Sequence, residues 1–581
     1  MRILSPSATA RQHSAVYAGV ASLLVALTAS QASAQAGPGA VLRQNDTTQR
    51  QLEDRLREEQ ERARNAVPPR PSVAPEVEVP RVQVPDLGGC RDIQRIAIEG
   101  ATQLPAAMRA QIDADYAGHC LDAKKLEDIL ALITKRYIDD GFITTRAYLP
   151  AQDLRTGTLT IRIVEGRIEK YELEATRPGG VWLRGAFPPV PGDLLNLRDL
   201  EQGIDQLNRL GSNNAQLDIR PGAEPGDSVV VVRNASRRPV RLLTTADNLG
   251  TPSTGRTSLA ATVSLDSVLG FNELIALTQR NSVPHDANHR SQATALMASV
   301  PWGFNTVSVD VSRTAYANRI TQPSGNTILS EGQTENVGLS VDRVLFRNAG
   351  SRFSASARIG TQDTRSWLGG ELLGVASRKL ATTDIGLNGF AALGGGVVNG
   401  RIAWVHGLNA LGALNDPADL AKDQPHAQFD KFTFDLGFDR RFTVADTTLA
   451  WSSQISGQHS RDTLYGAQQI LIGGPGSVRG SLLNTLSGDS GALWRNELSL
   501  PFQHSLGGTP LSGRVYVGFD IGRVSNRAAG VPSGSMSGAT LGLSLQAAGA
   551  SLDLFASRAV RLPASMRRES TQFGLRLSYS L

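Results

Sequence analysis

The feature that most constrains this chain is an alternation of apolar and polar residues with a period of two, from about Val240 to the last residue, Leu581. The apolar members of four such segments are Val307, Val309 and Val311; Phe353, Ala355, Ala357 and Ile359; Phe432, Phe434, Leu436 and Phe438; and Leu541, Leu543 and Leu545. Successive side chains of a strand point to opposite faces, so each segment predicts a strand with one apolar face. In lipid every backbone group must be paired, so a sheet of such strands must close. The pattern predicts a transmembrane antiparallel β-barrel over residues 238–581, with about 16 strands.

A soluble β-sandwich turns its apolar face inward and would show the same alternation. Two observations favour the barrel. The region contains no second element that could cover an apolar sheet, and the N-terminus predicts export from the cytoplasm. Arg2 and Arg11 accompany a short apolar run at 15–29, and the small residues 32–34 suit cleavage by a signal peptidase. Residues 1–34 are therefore predicted to be a signal peptide.

Composition excludes several other classes of protein. Of the 581 residues, 40% are apolar and 19% are charged, which is not the composition of a disordered tail. Beyond the N-terminus there is no apolar run of about 18 residues, the length that a spanning helix needs. The net charge is +5, but the basic residues are scattered among acidic ones without interleaved aromatics, so nucleic acid is not an expected partner.

Two polar segments follow the predicted signal peptide. Residues 35–66 are rich in Gln, Glu and Arg, which favour a helix, and only Leu52 and Leu56 form an apolar pair four residues apart. A helix with so little apolar surface is either solvated or lodged in a water-filled channel, where it would act as a plug. Residues 67–89 contain six prolines and predict an extended linker.

The next region predicts two small α+β modules in tandem, over residues 90–166 and 167–237. In the first module Asp122 caps a helix that has one apolar face. In the second module Asn196 caps a similar helix, which we expect to end at Gly211. A strand precedes each helix and two strands follow it. The two modules therefore look like an internal duplication of about 75 residues.

The chain has two cysteines, Cys90 and Cys120, both in the first predicted module. In an oxidising compartment a single disulfide between them is the simplest interpretation. Two buried free thiols are the alternative. Two cysteines without a nearby pair of histidines do not make the usual ligand set of a zinc site.

Taken together, these segments resemble the outer-membrane transporters of two-partner secretion, the haemolysin and filamentous-haemagglutinin exporters of the POTRA-barrel superfamily. Residues 141–147 followed by 157–166 (GTLTIRIVEG) are similar to a first POTRA signature, and residues 196–210 are similar to a second. Asp247 and Asn248 resemble the start of the first barrel strand.

The sharpest resemblance is in residues 473–480 (GGPGSVRG). They are similar to the Val-Arg-Gly-Tyr/Phe motif on a long loop that folds back into these barrels. Val478, Arg479 and Gly480 match the motif, and Ser481 stands where an aromatic is usual. The partner motif resembles Phe519-Asp520-Ile521-Gly522.

Periodicity adds an independent argument at Asp520. Val515, Val517, Phe519 and Ile521 share one face of a predicted strand, so Asp520 must point to the other face, into the lumen. An arginine and a carboxylate can pair through two parallel hydrogen bonds, which fixes geometry as well as adding energy. We therefore predict an ion pair between Arg479 and Asp520. The alternative is that Arg479 is a solvated loop residue.

Motifs of enzymes are weak in this chain. Gly488-Asp489-Ser490-Gly491 imitates the nucleophile motif of chymotrypsin-like proteases, but no histidine motif precedes it. The glycine-rich segment 473–480 lacks the Lys-Ser/Thr of a nucleotide-binding loop. His285 and His289 lie in a polar stretch between strands and are interpreted as solvated hairpin residues. We predict no enzymatic activity, cofactor or metal.

The resemblance implies a pore in the bacterial outer membrane, with its POTRA modules in the periplasm. Such a pore recognises and exports a partner exoprotein that bears an N-terminal secretion domain: a haemolysin, an adhesin or a contact-dependent toxin. It also implies contact with outer-membrane lipids and with the barrel-assembly machinery. Two alternatives are a barrel-protein insertase of the same superfamily, which the count of two modules and the plug-like helix disfavour, and a passive porin, which carries no POTRA modules.

The polar helix generates a first prediction. If it occupies the pore at rest, deletion of residues 41–66 should enlarge the single-channel conductance in planar lipid bilayers, because water and ions would fill the vacated volume. An unchanged conductance would mean that the helix lies elsewhere.

Overall fold

The computed structural model describes residues 38–65, 84, 88–176, 180–321 and 325–581. The predicted signal peptide and nearly all of the predicted proline-rich linker lie outside the described residues. Within these ranges, no helix combines the length and the apolar character that crossing a membrane requires.

The described helices are α1 (Pro38–Asn65), α2 (Ala106–Tyr116), α3 (Ala123–Asp139), α4 (Leu183–Ala186) and α5 (Leu197–Asn208). The strands of the two modules are β1 (Arg91–Ile93), β2 (Arg95–Glu99), β3 (His119–Leu121), β4 (Arg146–Tyr148), β5 (Thr158–Val164), β6 (Arg167–Ala175), β7 (Ala215–Pro221) and β8 (Asp227–Asn234).

The strands of the second half are β9 (Val240–Asp247), β10 (Thr257–Asp266), β11 (Leu274–Val283), β12 (Arg290–Trp302), β13 (Asn305–Thr321), β14 (Thr327–Arg347), β15 (Ser351–Leu368), β16 (Glu371–Leu372), β17 (Arg378–Leu393), β18 (Gly396–Leu408), β19 (Asp430–Val444), β20 (Thr447–Ser460), β21 (Ile470–Ile472), β22 (Leu486–Gly488), β23 (Ser490–Leu506), β24 (Thr509–Ser525), β25 (Gly534–Ala547), β26 (Ala550–Arg561) and β27 (Gln572–Ser580).

The first module is a three-stranded sheet packed against α2 and α3. β5 lies in the middle of the sheet, parallel to β2 and antiparallel to β4. α3 begins after Asp122, whose Oδ1 accepts the N–H of Lys125 at 2.8 Å and satisfies one free donor of the first turn, as predicted. The face of α3 buried in the core comprises Leu126, Ile129, Leu130, Ile133 and Tyr137.

The second module repeats this topology, with β8 parallel to β6 and antiparallel to β7. The N–H of Arg198 donates to Oδ1 of Asn196 at 2.9 Å, which caps α5. The predicted end of this helix at Gly211 is wrong, because α5 already ends at Asn208. The Asn208 carboxamide donates to the carbonyl of Ala215 at 2.9 Å and accepts its N–H at 2.7 Å, so it ties the helix end to β7.

The two modules are joined by direct contacts. Ile143 of the first module is buried in the apolar core of the second. The N–H of Leu197 donates to the carbonyl of Gly141 at 2.8 Å, and Nδ2 of Asn196 donates to the carbonyl of Asp140 at 3.1 Å. Gly141 has φ +96°, and a Cβ there would lie 2.5 Å from Oδ1 of Asn196. A larger residue at position 141 would therefore separate the modules.

Sixteen of the described strands, β9–β15, β17–β20 and β23–β27, form one closed antiparallel barrel, which confirms the predicted fold class. The two-residue strand β16 pairs with the end of β15. The barrel closes between β27 and β9, where the register runs from Arg576 opposite Asp247 to Ser580 opposite Leu243. Since β8 leads directly into β9, the start of β9 marks the end of the barrel nearest the modules, called the module side here. The opposite end is the far side.

Side chains are sorted by face as the alternation predicts. On β24, Val517 and Phe519 are about half exposed on the outer surface, whereas Tyr516 and Asp520 are buried inside. The outer surface is thus apolar and the lumen polar, which is the arrangement that a barrel in lipid requires.

One interpretation of the sequence is wrong in this region. Asp247 and Asn248 do not mark the start of the first barrel strand, because β9 begins at Val240 and Asp247 is its last residue. Asn248 instead extends the closing seam on the far side. Its Nδ2 donates to the carbonyl of Phe573 at 3.0 Å and its Oδ1 accepts the N–H of Leu575 at 2.8 Å.

The second module rests on three turns at the module side of the barrel. Nη2 of Arg209 donates to the carbonyl of Asn272 at 2.8 Å, in the turn between β10 and β11. Nε2 of Gln206 donates to the carbonyl of Gly303 at 2.9 Å, in the turn between β12 and β13. A carboxylate of α5 also pairs with Arg347, at the end of β14. These contacts hold the module against the barrel mouth.

Cys90 and Cys120 are joined by a disulfide in the first module, with their Cα atoms 5.3 Å apart. The bond lies beside β1 and β3, a two-stranded sheet at one end of the module. It closes a loop of 30 residues.

We expect this disulfide to stabilise the first module by roughly 3 kcal/mol, because it restricts the unfolded chain. The Cys90→Ser/Cys120→Ser variant of the purified periplasmic half should unfold at a correspondingly lower urea concentration. Mass mapping without reductant provides the direct check on the bond. Two alkylatable thiols in protein isolated without reductant would contradict the pairing.

Candidate functional site: a loop and a helix inside the barrel

The connection between β20 and β23, residues 461–489, folds back into the lumen. It contains the short antiparallel hairpin of β21 and β22. Five buried apolar side chains from this loop and the barrel wall form one cluster: Ile472, Val478, Leu486, Val524 and Met536. The loop therefore has a small apolar core of its own, which sets it at a defined position on the wall.

Arg479 of this loop forms a two-point ion pair with Asp520 of β24. Nε of Arg479 donates to Oδ2 of Asp520 at 2.7 Å, and Nη2 donates to Oδ1 at 2.8 Å. The backbone N–H of Arg479 also donates to Oδ2, at 3.0 Å. The side chains of Arg479 and Asp520 are 7% and 0% exposed. Three hydrogen bonds to one carboxylate fix both the position and the direction of the arginine.

A second carboxylate that the sequence analysis missed also contacts Arg479. Nη1 of Arg479 lies 3.2 Å from Oε2 of Glu497 on β23. Arg495, on the same inward face of β23, lies 3.9 Å from Asp520. The signal was available in the sequence, since Trp494 and Leu498 alternate with these residues and place them on the polar face.

Small residues of the barrel wall make room for the loop. A Cβ on Gly518 would lie 2.4 Å from Nη2 of Arg479, and a Cβ on Gly538 would lie 1.7 Å from the Arg479 carbonyl oxygen. A Cβ on Gly522, of the predicted strand motif, would lie 3.0 Å from Val478. Phe519 of the same motif is on the outer surface and does not contact the loop site.

Gly480 is required for a different reason. Its φ is +102°, and a Cβ there would lie 2.3 Å from the backbone of Arg558 on β26. The carbonyl of Gly480 accepts the N–H of Ala559 at 3.1 Å. The loop backbone thus lies directly against the wall at this residue, where only glycine fits.

Helix α1 lies in the lumen and contacts its wall mainly through polar groups. Asp46 pairs with Arg378 at 2.7 Å, and Glu59 pairs with Arg280 at 3.2 Å. Its one apolar contact of note is Leu56, which packs in a buried cluster with Ala293 and Ala295 of β12. The helix is therefore held inside a channel with polar wall residues, the second of the two positions that its polar circumference allowed.

The helix also contacts the loop at two separate points. A guanidinium nitrogen of Arg50 donates to the carbonyl of Ala467. Near the other end, Glu58 lies so close to the loop that a Cβ on Gly476 would be 2.8 Å from its Oε1. Beside the loop, a cavity of about 680 Å³ is lined by Arg441, Arg495, Glu497, Arg514 and other polar residues.

The other sequence candidates do not contact the Arg479–Asp520 pair. Asp489 is buried and accepts the N–H groups of Leu464 and Arg527, each at 2.9 Å, so it is a structural acceptor. Ser490 donates to the carbonyl of Ser460 at 3.2 Å. Nδ1 of His289 lies 3.3 Å from the carbonyl oxygen of Ser253. In the part of the chain that the structure describes, no three His, Cys, Asp or Glu side chains are grouped as metal ligands.

Comparison with known families agrees with this architecture. Residues 226–545 match the family described as haemolysin secretion/activation protein ShlB/FhaC/HecB. Residues 92–166 match a POTRA domain of the ShlB type, and residues 167–221 match a further POTRA domain.

Individual relatives cover most of the chain. The outer membrane transporter CdiB of Dickeya dadantii is 32% identical over 82% of this chain and 83% of its own length. The haemolysin transporter protein ShlB of Serratia marcescens is 30% identical, also over 82% of this chain and 83% of its own length. The solved structure of CdiB from Escherichia coli superposes with a TM-score of 0.83, at 29% identity, over 95% of this chain and 100% of that chain.

The geometry predicts the effect of breaking the Arg479–Asp520 pair. Removal of one partner of a buried pair typically costs about 3–5 kcal/mol, because the other charge is left unpaired. Lumen water would lower this cost by screening, but the two side chains are nearly inaccessible. Arg479→Ala and Asp520→Ala should free the loop without unfolding a barrel held by a closed hydrogen-bond ladder. Both variants should therefore insert normally into the outer membrane and export poorly.

A double-mutant cycle checks that the two residues act together. If they act as one unit, Arg479→Ala/Asp520→Ala should be little worse than either single variant. The charge-swapped double variant, Arg479→Asp/Asp520→Arg, is expected to recover part of the activity. Export at the wild-type level by both single variants would show that this pair does not carry the function.

Proposed function

Since the chain belongs to the ShlB/FhaC/HecB family of haemolysin secretion/activation proteins, we propose that its barrel is the path by which one partner exoprotein leaves the cell. It is an outer-membrane transporter of two-partner secretion, with its POTRA modules in the periplasm. The module side of the barrel therefore faces the periplasm, and the far side faces the cell exterior.

The observation that carries the proposal is the content of the lumen. A closed barrel holds two segments of its own chain, α1 and the folded-back loop, and each of them is tied to the wall by ion pairs and hydrogen bonds. Such contacts can be exchanged for contacts with water when a segment moves out. A polar wall that can bind a helix and the backbone of a loop can also bind an extended polypeptide.

In this proposal α1 is the plug of the resting pore. It is held at Asp46, Glu53 and Glu59, each by a different barrel strand. Its departure would expose the polar wall of β11–β17 to the lumen. The client would then thread along this wall while the loop, anchored at Asp520, keeps the opposite wall in shape.

The periplasmic modules are the proposed receptor. β4 and β7 are sheet edges, each paired on one side only among the described strands. An extended client can add to such an edge by main-chain hydrogen bonds. We propose that the client docks there through its N-terminal secretion domain, and that its folding outside the cell opposes return. The client is a haemolysin, an adhesin or a contact-dependent toxin.

Coexpression with a candidate exoprotein, chosen from the open reading frames that neighbour this chain's gene, tests the proposal. The exoprotein should appear in the medium only when the transporter is present. A variant lacking residues 90–166 should still insert as a barrel but export nothing, because the first receptor module is gone. Glu371→Ala, in an exposed far-side connection, serves as a control and should export normally. Undiminished export without residues 90–166 would refute docking on this module.

A further inference from the structure

The tip of the folded-back loop lies against the last extracellular loop, residues 562–571, which joins β26 to β27. The tip comprises Ser481, Leu482, Leu483 and Asn484. Asp520 holds the same loop two residues earlier, at Arg479. The contacts of the tip are separate from that pair and involve a single acidic side chain, Glu569.

Glu569 accepts hydrogen bonds from every residue of the tip. Its carboxylate accepts the backbone N–H of Leu482 at 2.8 Å, and those of Leu483 and Asn484 at 3.0 Å. It also accepts Nδ2 of Asn484 at 2.7 Å and the hydroxyl of Ser481. A carboxylate has only acceptor sites, about four of them, so its capacity is fully used by this turn.

The local chemistry explains why an acidic residue stands there. Three successive N–H groups point the same way at the tip, where no strand or helix supplies carbonyl partners. Glu569 supplies one acidic acceptor group for all three of these donors. A charged acceptor makes stronger hydrogen bonds than a neutral one. Glu569 therefore orders a backbone segment that has no regular structure of its own.

Ser481 connects this cluster to the loop motif. It is 2% exposed and occupies the position where the family motif has an aromatic residue. Its hydroxyl donates to Glu569, a contact that a phenylalanine could not make. The neighbouring space is lined by Phe555 and Gly574 of the barrel wall. The loop is thus anchored here by a polar contact, and the acceptor comes from another loop.

Two further contacts join the folded-back loop to the last extracellular loop. Leu562 and Met566, on the last extracellular loop, pack against the apolar cluster of the folded-back loop. Nδ2 of Asn484 also donates to the carbonyl of Arg567 at 2.9 Å. The last extracellular loop therefore covers the folded-back loop from the cell exterior, and Glu569 is its charged contact point.

We propose that Glu569 is a positioning residue for the folded-back loop, which holds the tip as Asp520 holds the neighbouring Arg479. Residues 562–571 thereby help to keep the loop in its resting position against the wall. This inference rests on the proposed function, in which the position of the loop governs export. It means that the position of the folded-back loop is also set by a residue on the extracellular side of the barrel.

Hydrogen exchange measured by mass spectrometry on the full-length protein tests the proposal. In Glu569→Ala the amides of Leu482, Leu483 and Asn484 should lose protection by about tenfold or more, the ratio expected when a charge-assisted hydrogen bond is lost. Glu569→Gln keeps one acceptor oxygen and should lose less. The amide of Arg479, bonded to Asp520, should keep its protection, and the control variant Glu371→Ala should match the wild type throughout.

Export of the coexpressed exoprotein is measured for the same variants, beside Arg479→Ala. Lost tip protection together with reduced export in Glu569→Ala supports the proposal. Unchanged tip protection overturns it, and so does lost protection with wild-type export while Arg479→Ala exports poorly. If neither Glu569→Ala nor Arg479→Ala alters export, the proposed role of the loop fails as a whole, and the inference fails with it.

Discussion

The rest of this structure depends on the requirement that every backbone group of a sheet in lipid be paired within the sheet. Closure between β27 and β9 meets it. Closure also decides what can occupy the inside, because an outer surface that is apolar at every second residue leaves the alternate residues to line a polar lumen. The contacts at Asp520, Arg280 and Arg378 are all consequences of this division. If these charged groups faced the acyl chains of the lipids, the free-energy cost of burying them in hydrocarbon would be too high.

The helix and the loop share this lumen and touch each other. Arg50 and Glu58 contact the loop near Ala467 and Gly476, on either side of the middle of the helix. The plug therefore cannot leave along its axis without breaking contacts to the loop. Conversely, a loop that moves away from Gly518 would remove one support of the helix. Opening is better described as a joint rearrangement than as the withdrawal of one element.

Much of this arrangement could be predicted from the sequence. The alternation is local and repeated, so it predicted a closed barrel of about the observed size. Asp520 could be placed in the lumen from the four apolar residues that flank it. Glu569 could not, because it lies in an irregular loop where no period assigns a face, and its partners are backbone groups rather than a matching motif. Gly211 and Asp247 were misjudged for a related reason. The end of a helix or strand depends on side-chain contacts with other elements, such as that of Asn208 with Ala215 on β7. The periodicity of the sequence does not reveal such contacts.

The seating of the second POTRA module on the barrel mouth has a mechanical consequence. α5 and the residue after it, Arg209, are bonded to the barrel at three places, and Ile143 of the first module is buried in the core of the second. Among the described residues, the first module is therefore tied to the second, and the second to the barrel, by direct contacts. A client strand added to β4 or β7 would then take a defined orientation relative to the lumen axis. Binding of the client would then also orient it toward the pore. The flexibility needed to enter the lumen would have to come from the client chain.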